Sequence, residues 1–223
     1  MKVLIVAATR HEWIPIQAQL LRQGWTLDKH GILHHKELQV ATLITGVGMM
    51  AMAAQLATQY GIIRPDLSIH IGIAGSYQKN LALGSVVQVV SEQLGDLGIE
   101  EKDGSFVDAF SAGLMDRNLP PFSEGRLHNP ISKLGFLPEV RGLTVNKVSG
   151  YLPHIAALTD NYDADIETME GAAFFFVNLL HEVKFLSIKS ISNYVEPRDR
   201  SAWEIDLAIT NLADSIGSLL QGM

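Results

Sequence analysis

Six consecutive apolar residues, Val3-Leu-Ile-Val-Ala-Ala8, lie next to the start of the chain. A strand with one wet face alternates polar and apolar residues. A strand without that alternation has to be covered on both faces, as in a parallel sheet between layers of helices. Similar runs return at Asp66–Ile71, Val86–Val90 and Phe185–Ile191, and Leu143–Val148 and Tyr162–Ile166 also read as strands. Helical patterns separate them: from Ile16 through Leu20 and Leu21 to a C-capping Gly24, then Met49–Tyr60, Leu152–Thr159 and Ala172–Leu180. A last amphipathic helix begins at Trp203, with apolar positions at Ile205, Ala208, Ile209, Leu212, Ile216 and Leu219. Strands alternating with helices predict an α/β fold, a three-layer sandwich whose central sheet is flanked by helices. Ile32–Lys36 and Leu38–Thr45 read as a hairpin, which makes that sheet mixed. Residues 95–139, with Pro120, Pro121, Pro130 and Pro138, are the least regular part and read as excursions carrying a short helix. No linker divides the 223 residues, so residues 1–223 are expected to form a single domain.

Composition narrows the function. A net charge of -7 argues against a nucleic-acid binder, which needs a basic stripe to neutralise phosphates. The absence of cysteine rules out a disulfide scaffold, a thiolate metal site and cysteine catalysis, and it fits a reducing compartment. The first apolar run is too short for a signal peptide, and no run approaches the roughly 20 residues of a membrane span. These features lead us to expect a cytoplasmic protein without a membrane partner. The adjacent His34-His35 pair falls on a strand, where the two side chains point to opposite faces, so no metal site is expected there.

Polar or small residues cluster where strands end. They are Thr9-Arg-His-Glu12, Gly46-Val-Gly48, Gly72-Ile-Ala-Gly-Ser76, Glu167-Thr-Met-Glu-Gly171 and Ser192–Arg200. Glu12 and Glu170 each read in two ways, as dipole-favoured residues near a helix start or as ligand-facing carboxylates. The glycines either make turns or let backbone N–H groups approach a ligand. The Gly46–Ala51 stretch falls short of the full dinucleotide fingerprint, with Ala51 at the third glycine and a hairpin before it. In an open α/β sheet the C-terminal ends of parallel strands form one ligand-binding edge, which would bring Glu12, Glu170 and Asn193 toward one cleft.

The order of these motifs resembles the nucleoside phosphorylase/nucleosidase superfamily, near its methylthioadenosine/S-adenosylhomocysteine nucleosidases. The resemblance runs through Thr45-Gly-Val-Gly48, Gly72-Ile-Ala-Gly75, Thr168-Met-Glu-Gly-Ala172 and Ser190-Ile-Ser-Asn193. It implies that Glu170 binds the ribose hydroxyls, Met169 packs on the sugar and Glu12 deprotonates the attacking water. Gly48, Ala74, Gly75, Val148 and Ser192 would line the substrate site. No cofactor is implied, and members usually form dimers or larger homo-oligomers. Methionines 49, 50 and 52 give either a contact surface for a second copy or core filler.

Asn193 is the informative departure, because the adenine-specific nucleosidases carry a proton-donating aspartate at that position. An amide offers one donor and one acceptor side, which suits a 6-oxopurine. Alternatively, Asn193 only caps a turn. The arginine and serine that hold phosphate in the phosphorylases are missing around His70-Ile-Gly-Ile73, which favours water as nucleophile. The hydrolases themselves tend to carry serine at the position of Ile73 and arginine at that of Lys189. Ser192–Arg200, Trp203 and Thr144-Val-Asn146 resemble the futalosine hydrolases, 6-oxopurine enzymes of menaquinone biosynthesis. Their substrate is inosine extended at the 5′ carbon by a carboxylated aromatic ketone. Arg198 and Arg200 are candidates for that carboxylate, or else solvated surface charges. The other readings are a purine nucleoside phosphorylase, a methylthioadenosine/S-adenosylhomocysteine nucleosidase and a non-catalytic nucleoside-binding protein.

Overall fold

The computed structural model describes residues 1–131 and 134–223. The chain runs β1 (Lys2–Ala7), α1 (Arg10–Arg22), β2 (Thr26–Leu27), β3 (Leu33–His35), β4 (Leu38–Ile44), α2 (Met49–Tyr60), β5 (Leu67–Ser76) and β6 (Val86–Leu94). It continues through β7 (Gly98–Glu100), β8 (Phe106–Asp108), β9 (Leu127–His128), β10 (Glu139–Thr144), α3 (Leu152–Asn161) and β11 (Ile166–Thr168). The last elements are α4 (Gly171–Leu180), β12 (Phe185–Tyr194), a single 3₁₀ turn (Arg200–Ala202) and α5 (Ile205–Gln221).

The result is an α/β domain with a mixed sheet in the order β11-β10-β6-β12-β5-β1-β4-β3-β2. Its first strand explains the two-faced burial. Leu4 and Val6 pack with Met52 of α2 and with Phe174 and Phe175 of α4. Val3, Ile5 and Ala7 pack with Ile16 and Leu20 of α1 and Leu212 and Ile216 of α5. Helices therefore cover both faces, as the unbroken apolar run requires. The β3–β4 hairpin is antiparallel, and β4, β1, β5 and β12 are parallel neighbours whose C-terminal ends share one edge.

Several boundaries differ from the sequence expectation. Residues 162–165 are not strand, and β11 starts at Ile166, running into the Glu167–Gly171 stretch itself. The strand expected at 143–148 is centred earlier, at Glu139–Thr144, which leaves Val148 in a loop. Gly72–Ser76 continues β5 instead of forming a turn, because extended β11 and β12 offer hydrogen-bonding partners on either side. Between 95 and 139 no helix forms among the described residues; the small hairpin β7–β8 and the short β9 take its place. Residues 132 and 133 of that stretch lie outside the described residues.

The sheet also curls back on itself. β11 is parallel to β10 yet antiparallel to β5, with Ile166 opposite Ser76 and Glu167 opposite Gly75. The fifth junction thus reaches the common edge from the opposite direction, heading from Ser76 toward Gly72.

Candidate active site

Glu12 opens α1, where it does both things the sequence allowed. One carboxylate oxygen, Oε2, closes a capping box, accepting from Thr9 N at 2.9 Å and from Thr9 Oγ1 at 2.8 Å. The other, Oε1, turns toward β5 and lies 3.4 Å from Ile73 N. Gly72 makes room for this approach. A Cβ there would stand 2.7 Å from Glu12 Oε1 and 2.8 Å from Lys189 Nζ. The bare glycine lets a carboxylate and an ammonium converge on one point of the strand.

Glu170 is the N-cap residue of α4, but its side chain makes no capping hydrogen bond. Its Oε1 accepts instead from Gly48 N at 2.8 Å. Gly48 has φ of 96°, a backbone conformation that favours glycine, and this aims its N–H across the cleft. Burial pushes the Glu170 carboxyl above the usual range, and the neighbouring Glu12 charge adds to this, while Lys189 and the Gly48 N–H oppose it.

Lys189 on β12 lies opposite Gly72 and is buried, with 2% of its surface exposed. Its Nζ donates to His70 Nε2 at 2.9 Å. Burial pulls the ammonium below the usual lysine range, and the carboxylates of Glu170, Glu12 and Glu92 pull it back. Burial also holds His70 well below its ordinary value, with Lys189 adding to the effect. A neutral His70 that accepts at Nε2 carries its proton on Nδ1. Lys189 is the only buried lysine or arginine among the described residues, and its Nζ converges with Glu12 Oε1 on Gly72.

Asn193 follows a bulge in β12: Ile191 pairs with Ala74 and Asn193 with Gly75, so Ser192 is the extra residue. The Ser192 hydroxyl donates to Asn193 Oδ1 at 2.8 Å, and Asn193 Nδ2 donates to Tyr194 O at 3.0 Å. These contacts fix the carboxamide beside Gly75, where a Cβ would stand 3.1 Å from Nδ2. An amide has a second N–H and a second lone pair to offer a ligand. From Gly72 to Gly75 is three residues of one strand, about 10 Å. Asn193 and the Glu12–Lys189 pair therefore approach β5 at two points about 10 Å apart, on either side of Ile73 and Ala74.

Glu167 is committed elsewhere. It accepts from Ser149 N at 2.9 Å, Ser149 Oγ at 2.6 Å and Tyr77 Oη at 2.8 Å, fixing the loop that carries Val148. Val148 is 37% exposed and Met169 half-buried. Arg198 and Arg200 are exposed beyond the end of β12 and form no ion pair among the described residues. The Arg198 guanidinium lies 5.7 Å from the Trp203 ring, and its Cβ would be 3.1 Å from a side chain at Gly150. These arginines are not brought to the carboxylate pair.

Sequence reasoning missed Glu92. It is fully buried on β6 and accepts from Thr144 Oγ1 at 2.8 Å. Burial pushes its carboxyl up to about 7. A charged residue two positions after the run Val86–Val90 was the available signal. No group of three or more histidine, cysteine, aspartate or glutamate side chains is placed to hold a metal ion among the described residues.

No family model matches the chain. A futalosine hydrolase of Streptomyces coelicolor is 30% identical over 98% of this chain and 95% of its own length. The chain belongs to the futalosine hydrolase family. A second futalosine hydrolase, from Thermus thermophilus, is 32% identical over 80% of each chain. Among solved structures, a methylthioadenosine/S-adenosylhomocysteine nucleosidase superposes with a TM-score of 0.76 at 18% identity, covering 99% of this chain and 95% of that one. This structural likeness shows the fold, and the sequence relatives show the family.

Proposed function

We propose that the chain hydrolyses the N-ribosidic bond of futalosine, releasing hypoxanthine and dehypoxanthine futalosine for menaquinone biosynthesis. The observation that carries this reading is that Glu12 and Asn193 approach β5 at Gly72 and Gly75, while Glu170 reaches Gly48 N and feels the charges of Glu12 and Lys189. Glu170 binds the ribose hydroxyls, and its charge favours the oxocarbenium-like transition state. Glu12 Oε1 takes the proton of the attacking water, while Oε2 stays in the capping box and fixes its aim. Asn193 donates to the departing hypoxanthine, which leaves with developing negative charge. Met169, Ala74, Gly75, Gly48 and Ser192 shape the walls. Val148, Arg198 and Arg200 form the outer rim where the carboxylated tail would emerge, with Arg198 stacked near Trp203. A second copy of the chain is the expected partner at α2. Met52 there is buried, whereas Met50 is 86% exposed and Val47 56% exposed, both flanking the Gly48 turn.

Chromatography of the products tests the reading. Hypoxanthine should appear from futalosine at the same rate with and without phosphate, and methylthioadenosine should be left intact. Phosphate-dependent release would favour a phosphorylase, adenine release from methylthioadenosine the related nucleosidase, and tight binding without release a non-catalytic protein.

A further inference from the structure

The N-terminus of α4 is capped in an unusual way. A helix start leaves its first N–H groups without intrahelical partners, and the N-cap side chain ordinarily accepts one of them. Glu170 holds the N-cap position and does not do so. The first two N–H groups go to threonines at strand ends: Gly171 N reaches Thr168 Oγ1, just upstream at the end of β11, at 3.3 Å, and Ala172 N reaches Thr144 Oγ1 of β10 at 2.7 Å. Behind both hydroxyls stands Glu92. Thr144 Oγ1 donates to its Oε2 at 2.8 Å, and Thr168 Oγ1 lies 3.4 Å from its Oε1.

The space for Glu92 is carved out by absent side chains. A Cβ at Gly171 or at Gly142 would overlap the Glu92 carboxyl group. The three strands that contribute, β6, β10 and β11, are neighbours, so the unit is assembled when β10 pairs with both β6 and β11. A fully buried glutamate without an ion pair costs several kcal/mol. Two glycines and two threonines are spent on accommodating it.

We infer that Glu92, Thr144 and Thr168 are positioning residues that cap α4 in place of Glu170, which frees the Glu170 carboxylate for the ribose. The inference rests on the ribose-binding role of Glu170 given above. Had Glu170 folded back onto Ala172 or Ala173, its carboxylate would be consumed by the helix. With the threonines in its place, it extends across to Gly48.

The test is a double-mutant cycle on the full chain, reading kcat/KM with futalosine and, separately, the affinity for free hypoxanthine. Thr144→Val should lower kcat/KM about tenfold or more, the scale of a buried N–H left unpaired. Thr144→Ser should restore most of it, and hypoxanthine affinity should stay within about twofold, because the base does not touch Glu170. In a Glu170→Gln background the same Thr144→Val change should cost no more than about twofold. An equal loss in both backgrounds, or a parallel loss of hypoxanthine affinity, would overturn the inference in favour of a general support of the fold. So would loss of folding in both Thr144→Val and Thr168→Val. The reading of Glu170 fails separately, if Glu170→Gln alone keeps full activity. The inference alone fails if Glu170→Gln is inactive while Thr144→Val matches the wild type.

Discussion

Gly48 N donates to Glu170 Oε1 at 2.8 Å across a sequence separation of 122 residues. This bond ties the turn after β4 to the start of α4 and sets the height of the carboxylate over the cleft. Replacing Glu170 by Gln keeps an acceptor for Gly48 but removes the charge. Turnover should fall by about 10²–10³, the scale for losing one electrostatic stabiliser of the transition state. Circular dichroism and the thermal midpoint should stay near wild type. A variant with full activity would end the assignment of Glu170.

Gly72 is predicted to be intolerant of even one added carbon. The Cβ of alanine would meet Glu12 Oε1 and Lys189 Nζ, at 2.7 and 2.8 Å, and both would have to move. Because a displacement near 1 Å is expensive for a positioned catalytic group, Gly72→Ala should lower kcat by about 10²-fold. Its KM should change less, since Asn193 and Glu170 are untouched. Steady-state kinetics separate the two, and an unchanged kcat would show that Glu12 does not act from this position.

Asn193→Asp should shift the choice of base. A carboxylic acid can deliver a proton to a departing 6-aminopurine, whereas the amide can only donate a hydrogen bond. The ratio of adenosine-type to inosine-type cleavage should rise by about tenfold or more. Parallel assays on methylthioadenosine and futalosine read this directly. If the ratio stays put, the contact to the base lies elsewhere.

The stability of the protein should carry a signature of Glu92. Its ordinary value is 4.5, and in the folded chain burial pushes it up to about 7. Between those values the folded chain keeps a proton that the unfolded chain has lost. The stabilisation is therefore complete below pH 4.5 and is lost as pH rises through 7, an effect of about 3 kcal/mol. The charges coupled to Glu92 are Glu170 on α4, Lys189 on β12 and Arg126 near β9. Glu92→Gln should flatten the dependence between pH 5 and 8 in urea denaturation. An identical slope in the variant would show that another group titrates.

Much of the fold was legible because its signals are local. Val3–Ala8 had to be covered on both faces, the β3–β4 hairpin follows from two adjacent strand patterns, and α2 and α5 from their periodicity. Gly72–Ser76 was read as a strand-end junction because its small residues make turns or let backbone approach a ligand. Two flanking strands nevertheless pair it, and pairing outweighs propensity. The short helix expected between 95 and 139 failed for the same reason, with β7–β8 and β9 finding partners instead.

For the candidate site, the sequence by itself named the residues proposed above: Glu12 at the first strand end, Met169-Glu170 before an apolar helix, and Asn193 where the resemblance leads one to expect an acid. Only the tertiary structure decided how they meet. The return of β11 onto β5 sets where the chain enters α4, and from there Glu170 reaches Gly48 N; no local pattern encodes a pairing between residues 75 and 167. The buried Lys189 beside Glu12 at Gly72 and the Glu92 pocket made by Gly142 and Gly171 are likewise products of packing. The cost of burying a charge depends on partners brought from distant segments, so the amino-acid order alone does not reveal which polar residues the fold will close over.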